Sequence, residues 1–259
     1  MTEHIRRRFE DGVLRLTFAR PDKKNAITNA MYGALADALE GAEADPNVRV
    51  VLFDAEGEAF TAGNDLTDFA AVSAGSIAHE DMQAHRFLAA LACATKPYVA
   101  AVHGFAIGVG TTLLLHCDLV YVADDARLSA PFVSLALVPE AASSWLMPAR
   151  IGYARAFAMF ALGEVIDGRT AVAVGIANAA APAGEVHTAA LEAARKLARQ
   201  PLGALRATKS LMRDAQTIQQ VMNREGEVFG ARLQTAEAVE AFKAFAERRA
   251  PDFTKVRAD

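Results

Sequence analysis

Apolar and polar residues alternate over residues 13–19, with Leu14, Leu16 and Phe18 on one side and Arg15 and Thr17 on the other. A period of two marks a half-buried strand. A shorter run at 5–9 precedes it, and Asp11-Gly12 between the two predicts a hairpin turn. Apolar runs without alternation at 49–53, 98–102 and 119–122 predict strands covered on both faces. Elsewhere the spacing lengthens to three and four. It predicts a helix over 29–42 opened by Thr28, and one over 76–94 with Met82, Phe87, Leu88 and Leu91 inward. Past residue 150 the helical period dominates, over 153–162, 170–174, 185–199, 202–213, 218–233 and 237–248. Pro201 breaks two of these apart, and Val239, Phe242 and Phe245 share one face of the last. Strands interleaved with helices, then helices alone, describe an α/β core with a helical C-terminal part.

Composition narrows the function classes. With 259 residues, 53% hydrophobic and 22% charged, the chain has the make-up of a globular protein. A net charge of −4 gives no overall basic character for nucleic acid. Cys93 and Cys117 lie in apolar segments without CxxC spacing, so neither a metal framework nor a disulfide is expected. The window 98–115 is apolar but contains His103 and three glycines, which fits a buried strand and turn better than a membrane span. The N-terminal MTEHIRRRFEDG has no apolar core of a secretory signal, and the expectation is a soluble cytoplasmic protein.

Two stretches carry candidate chemistry. After the strand at 98–102 come Gly104, Gly108 and Gly110, then the apolar start of a helix. Strand, glycine turn and helix N-terminus form an anion site, because the first N–H groups of a helix lack partners. A second small-residue loop, Ala62-Gly63-Asn64-Asp65, follows the strand at 49–53 and allows close backbone approach to a ligand. Some thirty residues past the glycine turn stands Glu140 in apolar company. It reads either as a proton carrier beside a developing oxyanion or as a surface acid ahead of a helix capped by Ser143 or Ser144. His103, His116 and Cys117 read as structural.

Three segments in order, RPDKKNAIT at 20–28, AFTAGNDLTDF at 59–69 and KPYVAAVHGFAIGVGTTLLLHCDLVYVADDARLSAP at 96–131, resemble the enoyl-CoA hydratase/isomerase (crotonase) superfamily. The likeness continues to AFAERRAPDF at 244–253. It implies a ββα spiral core over 1–195 and a helical C-terminal trimerisation region over 196–259. It also implies a homotrimer or dimer of trimers, and a coenzyme A thioester as substrate, with no separate cofactor and no metal.

Carried over by position, the oxyanion hole belongs to the N–H groups of Asn64 and Val109, with Ala62, Gly63, Asp65 and Leu66 completing the binding loop. Asp65 either holds that loop or meets the adenine. Lys23, Lys24 and Arg248 are candidates for the coenzyme A phosphates or are solvated charges. Phe69, Met82, Phe132 and Trp145 are candidates for an acyl pocket or are core. The two glutamates that hold water in the family's hydratases are replaced by Thr112 and Phe132. The remaining acid, Glu140 in PEAASS, matches the catalytic base of the peroxisomal-type Δ3,Δ2-enoyl-CoA isomerases, the branch the sequence most resembles. Shifting a double bond from C3 to C2 needs one proton carrier and no bound water. Hydration would need a second carboxylate, for which Asp65, Asp68 and Asp118 are the nearby candidates. A ring-modifying isomerase of the same superfamily and a non-catalytic acyl-CoA-binding protein are the other readings.

Overall fold

The computed structural model describes residues 2–68 and 82–256. Among the described residues nine strands form two sheets. The larger has the order β1-β2-β3-β4-β6-β9, built from β1 (Ile5–Glu10), β2 (Val13–Phe18), β3 (Val50–Ala55), β4 (Tyr98–Val102), β6 (Leu119–Ala123) and β9 (Ala179–Ala181). The smaller has the order β5-β7-β8, from β5 (Phe105–Ile107), β7 (Arg127–Ser129) and β8 (Ile166–Asp167).

The predicted hairpin is present: β1 and β2 pair antiparallel through Asp11 and Gly12, at φ 52° and 78°. Positive φ at both central residues suits the right-handed twist of the strands. Every later pairing in the large sheet is parallel. Its central strands VVLFDA and YVAAV are buried almost throughout, as their unbroken apolar runs require. β1 closes one edge with its side chains mostly exposed, and consecutive arginines at 6–8 discourage further pairing there.

Each step of the spiral uses both sheets. β4 leaves the large sheet and continues as β5 in the small one; β6 does the same into β7, and β5 and β7 then pair in parallel. The three-residue strands β5, β7 and β9 are too short to show a period, and the sequence pattern does not predict them. The helix Ser143–Ile151 stands where the reading of Glu140 as a surface acid placed one, but neither Ser143 nor Ser144 caps it: it begins after Ala142, which has no capping side chain, and it carries Pro148 inside.

The predicted helices appear with ends shifted by up to three residues, as Asn29–Ala44, Tyr153–Ala161, Gly168–Ala173, Ala183–Ala198, Leu202–Met212, Ala215–Leu233 and Ala236–Ala246. Of the segment 76–94, the described helix is Ala84–Ala92. The division at 195/196 falls inside Ala183–Ala198, which packs on β3, β4 and β6. Beyond it, the C-terminal helices pack back on the core: Leu233, Ala238 and Phe242 join Met82 and Leu137 in one apolar cluster. Among the described residues no helix is long and apolar enough to cross a membrane.

Candidate active site

The two small-residue loops meet beside the smaller sheet. Thr61 N–H donates to Phe105 O at 3.0 Å and Ile107 N–H to Thr61 O at 3.1 Å, so the loop after β3 runs alongside β5. The contact leaves no room for a side chain. A Cβ on Gly63, where φ is +88°, would lie 2.7 Å from Ile107 O, and one on Gly110 would lie 2.5 Å from Thr61 Cγ2. Thr111 Oγ1 ties the helix start to both strands beneath it, donating to Ala106 O at 2.6 Å with Ser129 O at 2.9 Å. Val109 is the first residue of the helix Val109–Thr112, and φ there is not positive, so the valine fits where a backbone donor is needed. Among the described residues neither the Asn64 nor the Val109 N–H has a protein acceptor.

The loop carrying Asn64 is pinned from several sides. Ile27 N–H donates to Gly63 O at 2.8 Å and Ala62 N–H to Lys24 O at 2.9 Å. Asp65 accepts from Arg20 at 2.7 Å and from Thr67 N–H at 3.2 Å. Burial raises the Asp65 carboxyl, but a bond from the Thr67 hydroxyl, then those from Arg20 and the Thr67 N–H, outweigh it and hold the carboxyl below its ordinary range. Asp65 therefore holds the loop. The Tyr32 hydroxyl donates to the Asn64 side-chain oxygen. Tyr32 is buried, and burial, then the charges of Glu140 and Asp68, push its hydroxyl well above the ordinary value.

Glu140 faces a cavity of about 470 Å³ whose apolar wall includes Met82, Leu88, Met222 and Phe229. That volume lies within the range of small-ligand sites. Asn64, Tyr32 and Glu225 line the same cavity. Thr112 Oγ1 lies 2.5 Å from Glu140 Oε1 and donates to it when the carboxylate is charged. Apart from its cavity side, Glu140 is crowded by protein. Burial pushes its pKa up to about 8 against the opposing Thr112 bond, with the Glu225 charge adding to the rise.

The turn that presents Glu140 is strained. Ala141 and Ala142 both stand in the left-handed region, at φ 60° and 55°, where a side chain is disfavoured. Two buried groups hold them. His116 Nε2–H donates to Ala141 O at 2.7 Å while Nδ1 accepts from Arg213 at 2.6 Å. Burial, then the Arg213 charge, pushes His116 down to about 3, so it stays neutral in this role. From the other side Glu225 accepts the Ala142 and Ser144 N–H groups at 2.6 and 2.8 Å.

Of the residues singled out in the sequence, the structure brings Asn64, Met82 and Glu140 to the cavity. Two acyl-pocket candidates are corrected. Phe132 turns into the core against Phe160, with ring centroids 5.8 Å apart, because the interior behind it is apolar. Trp145 lies half-exposed on the helix Ser143–Ile151 and lines a separate depression with Arg150 and Met212. Phe69 lies outside the described residues. Leu66 packs in the apolar cluster with Met82 and Phe242. Lys24 is exposed beside the Asn64 loop, its ammonium 5.6 Å from the Phe105 ring centroid, and Lys23 and Arg248 are exposed too. His103 bonds Gly57 O at 2.9 Å, in keeping with a structural role.

Sequence reasoning missed Tyr32, Glu225 and the positive use of Thr112. Only Glu225 left a signal: it is an acid within the apolar stripe Val221, Met222 and Phe229 of one helix. Among the described residues no group of three or more His, Cys, Asp or Glu side chains could hold a metal ion.

The description "Enoyl-CoA hydratase/isomerase" belongs to the family profile that matches residues 8–256. Enoyl-CoA delta isomerase 2 of Rattus norvegicus is 33% identical over 245 residues, covering 93% of this chain, which spans 62% of that protein's length. The 2,3-dehydroadipyl-CoA hydratase of Escherichia coli (strain K12) is 31% identical over 246 residues, covering 94% and 96% of the two chains. A solved enoyl-CoA hydratase/isomerase from Pseudoalteromonas atlantica T6c superposes with a TM-score of 0.90 at 39% identity, over 97% of this chain and 100% of that one. The matched residues 8–256 include both glycine-bearing loops and the turn at Glu140, so this chain belongs to the enoyl-CoA hydratase/isomerase family, within the crotonase superfamily.

Proposed function

We propose that this protein shifts the double bond of an unsaturated acyl-coenzyme A thioester from C3 to C2, with Glu140 carrying the proton. The observation behind this reading is a cavity carboxylate, Glu140, with an oxygen left for substrate where the other, Glu225, has both oxygens bound, together with the Asn64 and Val109 N–H groups, which have no protein acceptor among the described residues. Glu140 removes the C2 proton, and the C–H electrons pass into a dienolate whose charge rests on the thioester oxygen. The Asn64 and Val109 N–H groups bind that oxygen, the second also favoured by its helix N-terminus. Glu140 then returns the proton to C4, the C2–C3 double bond forms and the thioester carbonyl is restored. A trimer belongs to this reading, with the exposed Tyr153, Phe157 and Leu162 offering it an apolar surface.

Hydration is the second reading, and Glu225 is the observation that favours it, since it places a second carboxylate in the cavity. Both Glu225 oxygens already accept backbone N–H groups, which leaves it poorly placed to activate water. Asp65 is tied to Arg20, Asp68 accepts Asn29 N–H, and Asp118 accepts Tyr98 N–H and Lys209; none of the three lines the cavity. The test is incubation with medium-chain 3-enoyl- and 2-enoyl-CoA, followed by ultraviolet absorbance and mass. Conjugation of the 3-enoyl thioester at constant mass is expected. Gain of one water by the 2-enoyl thioester, with no conjugation of the 3-enoyl, would establish hydration instead.

The base must be ionised to act. Because Glu140 is pushed up to about 8, kcat/KM is expected to rise with pH through that value and level off above it. At pH 7 about one-tenth of the molecules would hold the active carboxylate. A profile flat between pH 6 and 9 would exclude a base so perturbed.

The acyl end of the cavity offers a further expectation. Gly226 lies mid-helix in Ala215–Leu233 and lines the cavity, and a Cβ there meets nothing within 4 Å. Packing does not demand glycine at this position, which costs about 0.5–1 kcal/mol relative to alanine in a helix. Gly226→Ala is expected to recover about that much in urea unfolding. Gly226→Phe is expected to fill the cavity and lower kcat/KM for longer acyl chains about tenfold or more relative to short ones, measured over a chain-length series.

A further inference from the structure

We propose that Glu225 is a positioning residue for the base, its carboxylate holding the left-handed turn from which Glu140 reaches the cavity. The inference rests on reading Glu140 as the base. Glu225 is buried on the helix Ala215–Leu233, about one-third of the chain away in sequence. Its two oxygens take the N–H groups of Ala142 and Ser144 at 2.6 and 2.8 Å. Those donors sit at the start of the helix Ser143–Ile151, whose own N-cap residue, Ala142, cannot accept them. A carboxylate at that end also matches the helix dipole. Ala141 and Ala142 have side chains in a backbone region that suits glycine, so an outside group must hold the turn. His116 grips the Ala141 carbonyl and Glu225 the Ala142 N–H. Either grip alone would let the peptide between them rotate.

Glu225 also acts through its charge. Among the described residues the titratable groups around Glu140 are Tyr32 from Asn29–Ala44, His85 from Ala84–Ala92 and Glu225 from Ala215–Leu233, with the neutral polar Thr112 bound to it and Asn64, Gln219 and Asn223 lining the same cavity. Asp68 faces the same region through Tyr32, and neutral His116 lies behind Ala141. Among them Glu225 is the group whose negative charge adds to burial in opposing Glu140 ionisation. Burial pushes Glu225 up as well, against the Ser144 hydroxyl and then the Ser144 and Ala142 N–H groups, whose bonds favour its charged form. The same side chain thus aims the base and keeps it reactive near neutral pH.

Two variants separate these effects. Glu225→Gln keeps the shape, removes the charge and leaves one oxygen to accept where there were two. Its kcat for 3-enoyl-CoA is expected to fall about 10–100-fold with little change in KM, and the midpoint of the kcat–pH rise to move to lower pH. Glu225→Asp keeps the charge on a shorter arm, and is expected to lose kcat with the midpoint unchanged. Carbon-13 NMR titration of the Glu140 carboxyl, assigned by its loss in Glu140→Gln, reads the same midpoint without turnover. A wild-type protein that does not isomerise would defeat the base reading, while the NMR midpoint in Glu225→Gln would still judge this one. An unmoved midpoint in Glu225→Gln, or full kcat in either variant, overturns the proposal. Circular dichroism reports folding; should Glu225→Gln not fold, Glu225→Asp decides alone, reduced kcat at the wild-type midpoint supporting the proposal and any other result overturning it.

Discussion

Replacing Glu140 by Gln is expected to lower turnover about a thousandfold and to make the protein harder to unfold above pH 8. The first effect is the loss of the proton carrier, for which general-base catalysis typically supplies about 10²–10⁴. The second follows from where the charge sits. The folded protein holds the Glu140 proton until about pH 8, whereas the unfolded chain releases it near the ordinary value of 4.5. Between those values the folded state binds more protons, so rising pH takes stability away, and above pH 8 the full cost is present. A tenfold difference in proton affinity between the two states corresponds to about 1.4 kcal/mol. Water reaching the cavity side of the carboxylate screens part of this, leaving about 2–3 kcal/mol. Gln is neutral at every pH and can still accept the Thr112 hydroxyl. Melting temperatures should therefore agree within about 2 °C at pH 4.5 and diverge by roughly 5–10 °C at pH 9, the variant being higher. Equal melting temperatures at pH 9 would mean that the charged carboxylate costs nothing where it stands.

This opposition between stability and reactivity accounts for the polar groups that sequence reading did not anticipate. Thr112 stands where a hydratase of the family would carry a carboxylate, and the sequence shows only that the carboxylate is missing. The structure shows the hydroxyl bound to Glu140, 28 positions along the chain. Tyr32 and Asn64 are 32 positions apart, and Glu225 lies 83 beyond Ala142. Such contacts form only once helices from three regions pack together, and no local period encodes them. What a local pattern can encode was readable. The strands Val13–Phe18, Val50–Ala55 and Tyr98–Val102 follow from alternation or unbroken apolar runs. The two glycine-bearing loops follow from the need for close backbone approach. Phe132 and Trp145 mark the limit in the other direction. An aromatic near a binding loop can turn to the cavity, the core or the surface, and composition does not choose. Phe132 went to the core and Trp145 to a different surface.

Gly63→Ala should damage the site most severely among changes that touch no acid or base. At φ +88° the added Cβ meets two penalties, an unfavourable backbone conformation and a 2.7 Å approach to Ile107 O. Neither side can yield cheaply. Gly63 O accepts Ile27 N–H at 2.8 Å, Gly63 N–H donates to Thr61 Oγ1 at 3.1 Å, and Ile107 N–H is bound to Thr61 O. Pushing the loop off β5 therefore breaks part of this ladder and moves Asn64 away from Val109. We expect a stability loss of about 2–4 kcal/mol in urea unfolding. In the protein that remains folded, kcat should fall about 10²–10³-fold, the typical effect of losing one oxyanion donor. Because that donor acts on charge that develops during reaction, kcat and kcat/KM should fall together while KM stays near its original value. Gly41→Ala supplies the control, since it lies in the helix Asn29–Ala44 and a Cβ there meets nothing within 4 Å. It should stabilise slightly and leave turnover unchanged. Full activity in Gly63→Ala would mean that the thioester oxygen is held elsewhere. A rise in KM at constant kcat would mean that the loop binds substrate and transition state equally, and Asn64 would lose its place in the oxyanion hole while Glu140 kept its role.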